Sequence, residues 1–396
     1  MILLIPVFFI ALVSIVINRK IHDLRVVMSE QRGENRRRSA SLSIHYAYCF
    51  AIWGVLTSLV ILSLNISLVN KFVIFVIALG ALYFLIDWFF QKNFNAKSHL
   101  EGSMKFVMMV SALIGVVITI AITASILFES LRFFEIVNFF DFLFGLSWNP
   151  QMAMHSDQAV SNSSFGIVPV LLGTLLITIV AMMVSIPLGI MAAIYLYFYT
   201  NSKVRDFLKP ILEILAGIPT VVYGYFAITA VAPFLKGSFG FLGIDIASES
   251  ALGAGFVMGI MIIPFVSSLV DDALNSVPGT LKDGSLALGS TKSEMIKNVV
   301  IPYAMPSIVG AVILAFSRAI GETMIVTMAA GLVAKLTINP LESVTTATAQ
   351  IITLLVGDQE FDSPKTLAAF AIALVLFVTT FIFNIIALKV IKKYKR

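Results

Sequence analysis

The chain alternates between long apolar runs and short polar connections. Nine runs fall at about 2–18, 46–66, 72–91, 105–127, 166–198, 209–235, 251–273, 303–333 and 366–389. Each approaches or exceeds the roughly 18 apolar residues that mark a membrane-crossing helix. A transmembrane β-barrel would instead show short segments of alternating polarity. The pattern therefore predicts an all-α polytopic membrane protein. The first run, "ILLIPVFFIALVSIVIN", has no basic residue before it, basic residues directly after it and no small-residue cleavage site. It reads as a retained helix with its amino end outside.

The polar connections give sidedness. Residues 19–43 hold seven Lys/Arg against three acids, which predicts a cytoplasmic loop. Alternation then places 92–104, 199–208, 274–302 and the tail "KVIKKYKR" on that side, and all are basic on balance. The loops near 128–165, 236–250 and 334–365 carry mostly acids and fall outside. The C-terminus is thus expected to be cytoplasmic.

Composition removes several function classes. Of 396 residues, 59% are hydrophobic and 12% charged, too little polar surface for a soluble domain of this length. The net charge of +5 fits cytoplasmic loops of a protein embedded in lipid, not a nucleic-acid surface. Cys49 is the single cysteine, and His22, His45, His99 and His155 lack ligand spacing, so no metal or cofactor is expected. The stretch "GSLALGSTKS" has two glycines five apart, but Ser290 follows Gly289 where a phosphate-binding loop needs Lys.

A polar connector, "KNFNAKSHLEGSM" at 92–104, marks a boundary between an N-terminal membrane extension of about three spans (1–104) and a six-span core (105–396). The Phe-rich segment 130–147 is expected to be an amphipathic helix on the outer membrane surface. In 283–302, Leu286, Leu288, Met295, Ile296 and Val299 sit near helical spacing around Gly289, predicting two short helices joined by a glycine turn.

Charges inside apolar runs are the candidates for function. On a helix starting near Pro306, Arg318 would lie about 18 Å in, near the midplane. Facing lipid there costs roughly 2.5–3.5 kcal/mol, so it should face protein or water. Glu322 is four residues on and would share its face and could pair with it. Two roles stay open: a pair that only fixes helix packing, or an anion site built on a guanidinium fork. In the second, Glu322 could accept a hydrogen bond from a protonated oxyanion, and Ser317 and Thr323 could add neutral donors. Glu213 precedes Gly217, Pro219 and Gly224, which suggest a broken helix, so it could either belong to the path or satisfy backbone groups freed at the break. Asp271 and Asp272 fall at a cytoplasmic helix end and are expected to be solvated, and Asp87 has no evident partner.

The 283–302 segment resembles the "EAA" coupling motif of ABC importer permeases: Glu-Ala-Ala, three residues, Gly, nine residues, Ile-x-Leu-Pro. Asp283, Gly284 and Ser285, then Gly289, then Val299, Ile301 and Pro302 keep every interval, with Gly and Ser replacing the two alanines. In order along the chain, "FLFGLSWNPQ", "FGIVPVLLGTLLITIVAMMVSIPLGIMAAIYL", "LEILAGIPTVVYGYFA" and "SRAIGETMIVTMAAG" are similar to the PstC-type permeases of phosphate-specific ABC importers, over residues 100–396. The resemblance implies a MetI-like six-span core, preceded here by about three extra transmembrane helices. It further implies inward phosphate transport across the bacterial cytoplasmic (inner) membrane, and no catalysis by this chain. The expected partners are a PstA-type second permease, two copies of a PstB-type ATPase, a PstS-type external phosphate-binding protein, and membrane lipid. Arg318 and Glu322 match positions implicated in phosphate passage. A proton-coupled secondary transporter using Glu322 is the alternative, but inverted repeats are not evident and the coupling spacing argues against it. A phosphate-signalling scaffold is compatible with transport.

Overall fold

A computed structural model describes residues 96–150, 165–241, 243–356 and 362–394, with isolated positions 74, 77, 78 and 81. The expected spans at 2–18, 46–66 and 72–91, with Cys49 and Asp87, lie outside the described residues apart from those positions. The chain divides into two compact units, 1–121 and 122–396. Among the described residues, six helices are long and apolar enough to cross a membrane: Glu101–Ile136, Val168–Tyr199, Thr220–Gly240, Ala251–Asn275, Lys292–Ile320 and Pro364–Val390.

In chain order the helices are α1 (Ala96–Ile136), α2 (Phe139–Phe144), α3 (Val168–Tyr199), α4 (Ser202–Gly217), α5 (Thr220–Gly240) and α6 (Ala251–Asn275). They continue as α7 (Gly279–Ala287), α8 (Lys292–Ile320), α9 (Met324–Ala329), α10 (Ala347–Leu355) and α11 (Pro364–Tyr394). Helices α3, α5 and α8 each contain one wider π turn, at Tyr195–Tyr199, Ala227–Val231 and Ile296–Val300.

The packing centre is α6 against α3. Small residues let the two backbones approach: a Cβ added at Gly259 would stand 2.9 Å from the Ala181 carbonyl oxygen, and one at Gly255 3.0 Å from that of Ile177. Close backbone approach through small residues is how membrane helices gain van der Waals contact without a hydrophobic driving force. Ser250 caps the start of α6, its Oγ accepting from the Gly253 amide at 3.2 Å. Met258, Ile262, Val266, Val270 and Leu274 of α6 are fully buried in this core.

A second core gathers Phe133, Phe142, Trp148 and Phe165 with Leu354 of α10 and Leu367 and Ile372 of α11. This corrects the expectation for 130–147. Helix α1 continues to Ile136 and α2 follows, with Phe133 and Phe142 buried edge-on against each other at 5.3 Å. Phe133 and Phe142 therefore meet protein, because Trp148 and Phe165 offer them an aromatic wall that pairs edge-to-face, while Phe139, Phe140 and Phe144 stay exposed.

Two spans differ from the hydropathy pattern. The run 209–235 breaks at Gly217–Pro219, so its first part belongs to α4, and the crossing segment is Thr220–Gly240. Proline disfavours helix in the residue before it, which ends α4 there. The run 303–333 breaks at Gly321, separating α8 from α9.

Candidate functional site: a charged cavity beside the middle of α6

Arg318 lies in the last turn of α8, where a cation complements the helix dipole. Its guanidinium carbon sits 5.1 Å from the centroid of the Phe265 ring on α6. Phe265 is 14 residues from the start of α6 and 10 from its end (265−251 and 275−265), so this contact lies mid-helix. A guanidinium over an aromatic face gains electrostatic attraction while leaving its donors free in the ring's surroundings.

Arg318 lines a cavity of about 250 Å³ with Glu213, Arg205 and Lys209 of α4 and Asp271 of α6. Pro264, Phe265, Ser267 and Ser268 form the α6 wall. Pro264 cannot donate a backbone hydrogen bond, which weakens the helix ladder beside the cavity.

The geometry changes the reading of the Arg318–Glu322 pair. Helix α8 ends at Ile320, so Glu322 is not one turn further along the same face. Its Oε1 instead accepts the amides of Met324 at 3.1 Å and Ile325 at 3.5 Å at the start of α9. Among the described residues no ion pair joins the two side chains. The Glu322 carbonyl accepts from Thr348 Oγ1 at 2.7 Å, tying the break to α10. Thr323 Oγ1 bonds the Gly321 carbonyl at 3.3 Å, and Ser317 Oγ bonds Asn384 Oδ1 of α11 at 3.4 Å. Of the five candidates, the cavity brings together Arg318 and Glu213, while Glu322 and Thr323 bond at the helix break and Ser317 bonds α11.

Asp271 corrects an expectation. It is buried, not solvated, while Asp272 is exposed. Arg205 Nη2 donates to both Asp271 oxygens at 2.9 and 3.1 Å, and Lys209 Nζ donates at 3.0 Å. A buried carboxylate persists when cations and hydrogen bonds replace its water. The only signal in the sequence was local: Arg205 and Lys209 are four apart on one helical face. Their partner lies 66 and 62 residues away.

The segment with coupling-motif spacing forms α7, a turn at Gly289 and the start of α8. Gly289 has φ +86°, which favours glycine. Thr291 and Glu294 form a capping box: the Thr291 amide donates to Glu294 Oε2 at 2.8 Å, and the Glu294 amide to Thr291 Oγ1 at 3.3 Å. The second short helix does not stop; it runs on through Ile301 and Pro302 as the first part of α8. Asp283 and Gly284 are exposed, Ser285 is half-buried and hydrogen-bonded to Ser290, and Leu288 is 92% exposed.

The family model for binding-protein-dependent transport system inner membrane components matches residues 185–396, which include every cavity residue. Among similar proteins is the probable ABC transporter permease protein YqgH of Bacillus subtilis, 34% identical over 69% of this chain and 84% of that protein. The phosphate transport system permease protein PstC of Mesorhizobium japonicum is 33% identical over 63% of this chain and 77% of that protein. The probable phosphate transport system permease protein PstC of Methanocaldococcus jannaschii is 30% identical over 58% and 76%. With six candidate spans among the described residues and a family match over more than half its length, the chain belongs to the inner membrane components of binding-protein-dependent transport systems.

Proposed function

We propose that this chain is a PstC-type permease subunit that moves inorganic phosphate inward through an ATP-driven importer, forming half of the translocation path. The observation that carries the reading is Arg318, a permanent cation mid-way along α6 that faces a cavity. A fork of guanidinium donors suits a tetrahedral oxyanion, and the low dielectric of the span strengthens the attraction. The names of the PstC relatives point to the same anion. Glu213 lines the same cavity as Arg318, while Glu322 and Thr323 act one step back at the Gly321 break and Ser317 ties α8 to α11.

In this reading α7 and the Gly289 turn seat on the ATPase, with Leu288 as the apolar contact and Asp283, Gly284 and Ser285 beside it. Ile301 and Pro302 pass the movement along α8. The complete assembly comprises a PstA-type permease, two PstB-type ATPase copies and a PstS-type binding protein outside. The α7 end and the C-terminus face the cytoplasm, the N-terminus lies outside, and 1–104 forms an extension to the core. The test is uptake of labelled phosphate by cells lacking other high-affinity systems and expressing this chain with its partners. Competition by unlabelled phosphate but not by sulfate or molybdate is expected. Uptake of a different oxyanion in place of phosphate would overturn the substrate.

A further inference from the structure

The cavity contains more positive charge than its fold requires. Asp271, with a side chain 7% exposed, is held by two cations, Arg205 and Lys209, where one would neutralise it. With Arg318 and Glu213 the lining holds three cations and two carboxylates. Arg205, Lys209 and Glu213 also line a second hollow of about 560 Å³ on the side of Tyr197 and Ser202. Arg205, Lys209 and Glu213 therefore border both spaces, and their partner Asp271 lies about 9 Å along α6 from the Phe265 level (six residues at 1.5 Å each).

We propose that Arg205 and Lys209 form a second oxyanion station, and that the Asp271 carboxylate occupies it as an internal stand-in while the path is empty. The proposal rests on the phosphate reading above. A carboxylate and a phosphate present similar charged oxygens to the same donors. An anion leaving Arg318 meets Lys209 first to yield, since its side chain is 41% exposed against 29% for Arg205, and an ammonium on a flexible stem re-aims easily. Phosphate then replaces Asp271 on Lys209 and Arg205, and the returning Asp271 carboxylate expels it into the second hollow. Competition by an attached carboxylate keeps the station from holding its cargo too tightly, which conduction through a sequence of sites requires.

The decisive experiment measures phosphate transport by the assembled complex in proteoliposomes, using two variants. Asp271→Asn leaves both cations unopposed, so KM should fall several-fold while the maximal rate falls about tenfold, the split expected when bound anion is released slowly. Arg205→Met with Asp271→Leu replaces the pair by apolar groups of similar bulk, a change that structural ion pairs commonly tolerate. That variant should assemble and yet lose transport by about tenfold or more. It also decides the matter if Asp271→Asn fails to assemble. Wild-type transport by the double variant, or an unchanged KM in Asp271→Asn, would overturn the station and leave the proposed function standing. A wild-type complex that moves no phosphate would overturn both.

Discussion

Lys282 Nζ donates to the hydroxyl of Tyr197 at 2.7 Å and lies 4.6 Å from the centroid of the same ring, while the guanidinium carbon of Arg205 lies 5.2 Å from that centroid. One aromatic side chain at the end of α3 thus contacts a lysine next to Asp283 on α7 and an arginine of the cavity. Lys282 also reaches the Leu274 carbonyl at 3.3 Å, which fixes α7 to the end of α6. Through Lys282, α7 contacts Tyr197, and Tyr197 in turn contacts Arg205.

Tyr197→Phe should therefore keep most transport, losing one hydrogen bond of about 0.5–1.5 kcal/mol. Tyr197→Ala should lose the ring as well, and with it two cation–π contacts of about 0.5–1 kcal/mol each. Its expected phenotype is ATP hydrolysis with phosphate transport reduced several-fold. The ratio of ATP consumed to phosphate moved in proteoliposomes reads this directly; an unchanged ratio in Tyr197→Ala would disprove the linkage.

Gly259 has no room for a side chain, because α3 passes within contact distance of its backbone. Gly259→Ala should destabilise the chain by about 1–3 kcal/mol through overpacking. Gly237 of α5 meets nothing within 4 Å, so Gly237→Ala should be neutral or mildly stabilising. Thermal denaturation of both in detergent separates them, and equal midpoints would contradict the packing account.

In the second core, Trp148 Nε1 donates to Gln350 Oε1 at 2.9 Å, and Gln350 Nε2 donates to Thr345 Oγ1 at 3.1 Å and the Leu332 carbonyl at 3.2 Å. Gln350→Leu strands the buried indole N–H together with these acceptors, which should cost about 1–3 kcal/mol. Trp148 fluorescence during urea unfolding provides the measurement.

A large part of this fold was legible in the hydrophobic pattern, since spans of 20 residues or more leave an unambiguous mark. Their interruptions were less so. Gly217–Pro219 announced a break, whereas Gly321 has no proline beside it and lies inside a run whose hydropathy continues to 333, so the end of α8 there is set by its surroundings. That ending undid the expected Arg318–Glu322 pair, which assumed a continuous helix. The site was legible only in part. Arg318 and Glu213 stood out as charges in apolar stretches, while the buried role of Asp271 depends on cations 62 and 66 residues away. No local pattern encodes a contact of that kind.

The loop after α9 carries a pH dependence. Lys335 pairs with Glu342 and holds its carboxyl below the usual carboxylate range, with Thr337 adding to the effect. Nearby, the Ala251 amide donates to the Glu342 carbonyl at 3.0 Å and the Val344 amide to the Ala330 carbonyl at 3.0 Å. A depressed folded-state value stabilises the loop above the unfolded carboxylate value of about 4.3, and that contribution is lost as pH falls through the folded value. Hydrogen exchange of the Val344 amide, corrected for intrinsic rates, should accelerate below that window in the wild type. In Glu342→Gln it should show no such step.

The central claim is that Arg318 touches the transported anion. The direct measurement is radiolabelled phosphate uptake at micromolar concentration by cells that lack other high-affinity systems and express the full complex. Wild type is compared with Arg318→Gln, with assembly of both verified by co-purification. The account predicts robust uptake in wild type and loss of about a hundredfold or more in the variant, the scale of removing one charged partner of an anion. Uptake that survives the substitution would make Arg318 a packing residue over Phe265 and contradict the account.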